Sequence, residues 1–156
     1  MSVYTREWRQ SDVDLANQLK DVTSAAGAVT TNTSRAWTST TFSPSATANT
    51  NGAAQVVNGT SATGRGFAAL NGLAVTFGGT FGAETATMTV TATFSDATTA
   101  SATVTATATG VVNATLAQLI ALHKDAVFIK SLSLTLKSSI ASSTANCTVQ
   151  LLATQV

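Results

Sequence analysis

The chain has 156 residues, of which 44% are hydrophobic and only 10% charged, with a formal net charge of +1 and a single cysteine. That length suits one domain with a core of its own, and the charge lies far below the roughly one quarter usual in soluble proteins. No window is dominated by Lys or Arg, and Cys147 alone can form neither an internal disulfide nor a cysteine-rich zinc site, so nucleic-acid binding and a disulfide framework are not expected.

Nearly half the chain is Thr, Ala or Ser. Solubility must therefore come from hydroxyls, a bias that suits sheet surfaces, where branched Thr packs on the pleat without needing charge.

The N-terminus is different material. Arg6, Glu7, Arg9, Asp12, Asp14, Lys20 and Asp21 place nearly half of all charges in the first 21 residues. Ser11 followed by Asp14 imitates a capping box, and Val13, Leu15, Leu19 and Val22 have a partly helical spacing, which predicts a short helix over 12–21. Tyr4, Arg6, Trp8 and Arg9 put two aromatics and two guanidiniums in a segment too short to bury them. Either they dock on a partner or they pack, as a helix entry, on their own domain. No apolar h-region opens the chain and no run approaches 18 apolar residues, so it is expected to be neither exported by the usual route nor membrane-spanning. The small polar stretch VTSAAGAVTTNTS reads as a linker, making residues 1–34 an arm and 35–156 a β domain.

Within that domain RAWTSTTF predicts a first strand, SPSATANTNG a loop and AAQVVN a second strand. Asn71-Gly72, between Leu70 and Leu73, predicts a type I′ hairpin with strands over 65–70 and 73–77. From 84 to 94 Thr fills positions 85, 87, 89, 91 and 93, with Ala86, Met88, Val90, Ala92 and Phe94 on the other face. From 99 to 109 Thr or Ser alternates with Ala or Val in the same way. Two half-buried strands joined by SDAT as a tight hairpin follow, with a thin core where Ala points inward. Leu116, Leu119, Ile120 and His123, capped by Asn113 or Thr115, predict a short helix crossing one end of the sheets. Phe128, Leu132, Leu134 and Leu136 share a face of the next strand, and CTVQLLATQV alternates to the last residue. The sum is an all-β chain of eight or so strands: a two-layer antiparallel β-sandwich, jelly-roll-like, with a short N-terminal helical arm and one short crossover helix.

Catalytic constellations are missing. His123 is the sole histidine and falls at a helix end, where the C-terminal dipole accounts for it, and no G-x-S-x-G elbow accompanies it. Glu84 and Asp96 stand at opposite ends of one strand, some 30 Å apart at roughly 3.3 Å per residue, so only Asp125 or a second subunit could complete a carboxylate pair at glycosidase separations. Cys147 alternates with Val149 and Leu151 and reads as a small buried hydrophobe. Asp12-Val13-Asp14 lacks the glycine and distant glutamate of a calcium loop. Gly64-Arg65-Gly66 and Phe77-Gly78-Gly79 read as bulges or close backbone approach. Asn32, Asn58, Asn113 and Asn146 open N-x-Ser/Thr triplets that are silent without export. No catalytic, metal or cofactor site is expected. Most aromatics read as core, and Trp37 beside Arg35 is the one pair suited to contact a glycan.

A charged arm over 1–22, a Thr/Ala-rich β body over 35–156, no export signal and no catalytic set together resemble the small β-sandwich proteins on the outside of tailed bacteriophage particles. These are head decoration or cement proteins and tail or fibre components. The resemblance is one of general character over the whole length and carries no family residue onto a numbered position. It implies a non-enzymatic virion protein, made in the host cytoplasm and exposed on the assembled particle, acting as a symmetric homo-oligomer, most often a trimer. Its partners would be the major capsid protein or other virion proteins, with no nucleic acid and no membrane. The alternative is a receptor- or glycan-binding module of a tail or fibre, in which Trp37 and Arg35 would touch the sugar. A third reading is a surface-layer or adhesin-type domain cut from a larger exported protein.

Overall fold

The computed structural model describes residues 33–59, 66–124 and 127–155. The predicted arm helix over 12–21, the linker, and Tyr4, Arg6, Trp8 and Arg9 lie outside the described residues, as does Asp125.

The period-two runs form the strands β1 (Thr33–Thr38), β2 (Gln55–Asn58), β3 (Phe67–Gly78), β4 (Ala86–Phe94), β5 (Thr99–Ala106), β6 (Gly110–Asn113), β7 (Ile129–Ser138) and β8 (Asn146–Gln155), with one helix, α1 (Leu116–Ala121), between β6 and β7. The chain is all-β and antiparallel. Its ladders sort the strands into two sets of four, in the orders β1-β8-β3-β6 and β2-β7-β4-β5. The sets touch through one pair, Phe67 with Ile129. Gly66, beside that junction, is buried, and a Cβ there would lie 2.1 Å from the Ile129 carbonyl oxygen. Close backbone approach is what the glycine permits.

Both sets supply one core. Val75, Phe77, Cys147, Val149 and Leu151 enter it from the first, and Met88, Val90, Val104, Leu132, Leu134 and Leu136 from the second. β7 sets large side chains beside β4: Ala92 pairs with Leu132, Val90 with Leu134 and Met88 with Leu136. The inward alanines of β5, Ala100, Ala102 and Ala106, are only partly buried.

The SDAT hairpin forms as its length implies. Phe94 N–H donates to Thr98 O at 2.9 Å, and Ala97 turns the chain with φ +65°. Asp96 holds this turn by accepting from Thr98 N–H at 3.0 Å and Thr98 Oγ1 at 2.6 Å, and it forms an ion pair with Lys124 beyond α1.

Two expectations fail. Asn71-Gly72 is no hairpin: β3 runs straight through it, pairing Leu70 with Ala153 and Gly72 with Leu152 on the same strand, and a register shift absorbs Asn71. A type I′ turn requires positive φ at both central residues, and Gly79 and Gly110 are the described glycines that have one. The ten-residue alternation of β8 offers a longer ladder than a local hairpin could. The strand predicted over 99–109 also stops at Ala106. The chain bends, and Gly110, at φ +147°, starts β6 in the other set. Thr-Ala alternation continues through the bend, so periodicity cannot detect it.

Candidate functional site

Helix α1 is built as its sequence demands. Thr115 Oγ1 accepts from Gln118 N–H while the Gln118 side chain accepts from Thr115 N–H, a reciprocal capping box that satisfies two otherwise orphaned donors. Gln118 Nε2 also donates to the Thr103 carbonyl at 2.7 Å, tying the helix to β5. At the other end the Leu70 N–H donates to His123 Nε2 at 3.1 Å. Because Nε2 accepts there, Nδ1 carries the proton and donates to Leu119 O at 2.8 Å. Both ring nitrogens are thus occupied in joining the helix end to β3.

The apolar residues of α1 divide. Leu119 and the following Leu122 are buried, whereas Leu116 and Ile120 are 73% and 59% exposed. Those two sit four residues apart, on one side of the helix. Val111, on the strand leading into the helix, is 62% exposed. Val56 on β2, at 62%, and Ile140 and Leu152, at 41% and 42%, are the other large aliphatics left exposed among the described residues.

The remaining reactive types are bound into structure. Glu84 is 2% exposed; its carboxylate accepts from Ser143 Oγ and from Gly82 N–H, each at 2.7 Å. Those bonds, led by Ser143, hold its pKa below the ordinary value of 4.5 and clamp the 79–84 loop to the loop before β8. The Lys124 ammonium, aided by Thr98, keeps Asp96 well below the usual carboxylate range. Burial pushes the Cys147 thiol up to about 12, leaving no thiolate at neutral pH. Among the described residues no three His, Cys, Asp or Glu side chains group as a metal site would require, and no helix is long and apolar enough to cross a membrane.

A second feature was not foreseen. A cavity of about 570 Å³ opens where β1, β3, β8 and the end of β6 meet. Ala74 pairs with Gln150 on one side and Asn113 on the other. Directly paired residues share a face, so Gln150 and Asn113 stand in one row, their Cα atoms two strand spacings or roughly 10 Å apart. Gly72 leaves the neighbouring row bare, since a Cβ added there would meet only the Leu152 Cβ, at 4.0 Å. Asn71 borders the same hollow and donates from Nδ2 to Thr154 Oγ1 at 2.8 Å. Sequence reasoning missed these residues because Asn71-Gly72 was assigned to a turn. The usable signal was a glycine inside a strand pattern, which marks a bulge or an open approach to the backbone.

Trp37 borders the hollow and is half-buried against the core. The Arg35 backbone lies in β1, and its side chain lies outside the described residues. The structure brings Trp37 to this cavity. No family model, curated protein or solved structure matches the chain.

Proposed function

We propose that this chain is a non-enzymatic structural subunit of a virion, a capsid decoration or cement protein that binds between shell subunits as a symmetric oligomer, with a trimer favoured. The observation that carries the reading is the uncovered aliphatic side chains of Leu116, Ile120 and Val111 on a body poor in charge. Leu116 and Ile120 share one side of α1, and large aliphatics exposed side by side are more costly in water than isolated ones and mark contact surfaces.

The strand order supports the scaffold half of the proposal. The pairs β1 with β8, β2 with β7, β3 with β6 and β4 with β5 nest inside one another, as they do when one long antiparallel hairpin is rolled up. That nesting favours a jelly roll of two four-stranded sheets, a fold used by capsid and lectin domains. The hydrogen-bonding duties of His123 and Glu84 and the raised pKa of Cys147 favour a structural role for the very groups a hydrolase would need free. Attachment through several weak contacts at once would make such a subunit hard to remove.

Sedimentation equilibrium of the full chain tests the oligomer. A trimer is expected, and Leu116→Ser with Ile120→Ser should dissociate it while leaving the β spectrum intact. A monomer at every concentration overturns the assembly reading. Failure to co-sediment with intact particles from a producing culture overturns the virion reading.

A further inference from the structure

We propose that the hollow beside Ala74 is a binding site for a neutral saccharide. The inference stands apart from the assembly reading, since a shell subunit and a free domain would both present this cavity.

Among the described residues, no Asp, Glu, Lys, Arg or His borders the hollow. A charged ligand would find no counter-charge among them, which favours an uncharged occupant. The polar groups that do border it are Asn71, Asn113, Gln150 and Thr38. Each amide presents a donor and an acceptor side by side, and each sugar hydroxyl is itself donor and acceptor, so neighbouring hydroxyls can be met pairwise. Among the described residues the side-chain amides of Asn113 and Gln150 make no hydrogen bond, and Asn71 uses one of its donors. Their capacity is free for a ligand.

Shape agrees with chemistry. The volume of about 570 Å³ lies within the roughly 300–1,000 Å³ typical of small-ligand sites. The Cα spacing of roughly 10 Å between Gln150 and Asn113 along their row leaves room for one sugar ring with a hydrogen bond of about 2.9 Å at either end. Ala74 and Gly72 make a floor low enough for the ring to lie against. Leu152, 42% exposed, offers apolar surface to the C–H side of the ring.

The full chain is applied to a glycan array carrying neutral and sialylated glycans. Neutral mono- and disaccharides that bind are then titrated into ¹⁵N-labelled protein, with sodium N-acetylneuraminate as the charged comparison. Saturable shifts of the Asn113 and Gln150 side-chain NH₂ signals are expected with a neutral sugar. Gln150→Ala and Asn113→Ala should each weaken affinity about tenfold, the loss of one well-placed hydrogen bond. Gly72→Val should fill the hollow and abolish binding with an unchanged thermal midpoint, since a Cβ at Gly72 meets no close neighbour. If Gly72→Val perturbs folding, the Asn113→Ala, Gln150→Ala double variant of two exposed residues decides instead. Binding of no neutral glycan, binding of only sialylated ones, or shifts confined to another part of the surface would each overturn the site.

Discussion

Strands β4 and β5 carry the same alternation and sit side by side in register, yet they live at different depths. Every inward residue of β4, from Ala86 to Phe94, is buried, whereas on β5 only Val104 is. The neighbours make the difference. β4 lies between β5 and β7, while β5 is the last strand of its set, with α1 packed nearby. A pattern of period two assigns side chains to faces, and the number of strands beyond it decides how far a face is from water.

The largest effect that would sharpen this contrast is in the middle of β4. Met88→Ala removes a fully buried side chain beside Leu136 and is expected to cost about 2–5 kcal/mol, read as a lower denaturant midpoint. A matched pair tests the contrast most directly. Ala92 and Ala100 face each other across the ladder, one buried and the other half-buried. Ala92→Ser should lose about 1–3 kcal/mol through an unpartnered buried hydroxyl, whereas Ala100→Ser should stay within about 0.5 kcal/mol. Equal losses at the two positions would break the comparison.

Next comes acid sensitivity at the foot of β4. Glu84 has its pKa lowered on folding, so the stability it contributes is present above its ordinary value of 4.5 and is lost as pH falls through the folded value. Asp96, lowered by Lys124 and Thr98 from 3.8, acts in the same direction over a lower range. Glu84→Gln is therefore expected to be less stable than the natural chain at neutral pH. The gap should narrow as pH drops below 4.5, measured by denaturant melts across the range. A gap independent of pH would mean that the carboxylate charge is not what holds the two loops.

The smallest effect is on the hydroxyl face. Thr91 and Ser101 share a hydrogen bond of 2.8 Å at the exposed surface, and Thr91→Val should change stability by only about 0.2–1 kcal/mol. That near-neutrality would show that the Thr face supplies solubility and strand propensity more than cohesion.

Much of the β body was legible. The alternation of 84–94, of 129–138 and of 146–155 reports strands whose two faces differ in water contact, a property local enough to survive any topology. The helix was legible from the spacing of Leu116, Leu119, Ile120 and His123 and from Thr115 as one of two candidate caps, because spacing and capping are local devices. Leu116 and Ile120 were not legible as surface, since their spacing fits a buried stripe as well as the Leu119 and Leu122 that are in fact covered. Asn71-Gly72 misled because a turn signal is only a conformational preference, and pairing with β8 outweighs it. The cavity residues Asn113 and Gln150 are 37 positions apart in the chain, and only the shared partner Ala74 brings them into one row.

By itself, then, the sequence determined a charge-poor, hydroxyl-clad chain of antiparallel strands, because side-chain alternation and β-branching act within a few residues. Tertiary structure alone decided which strands are central, where the chain leaves β5 for β6 at Gly110, which aliphatics stay in water, and where two distant amides flank an open floor. These depend on pairings between residues far apart in the chain, and no local pattern encodes the partner.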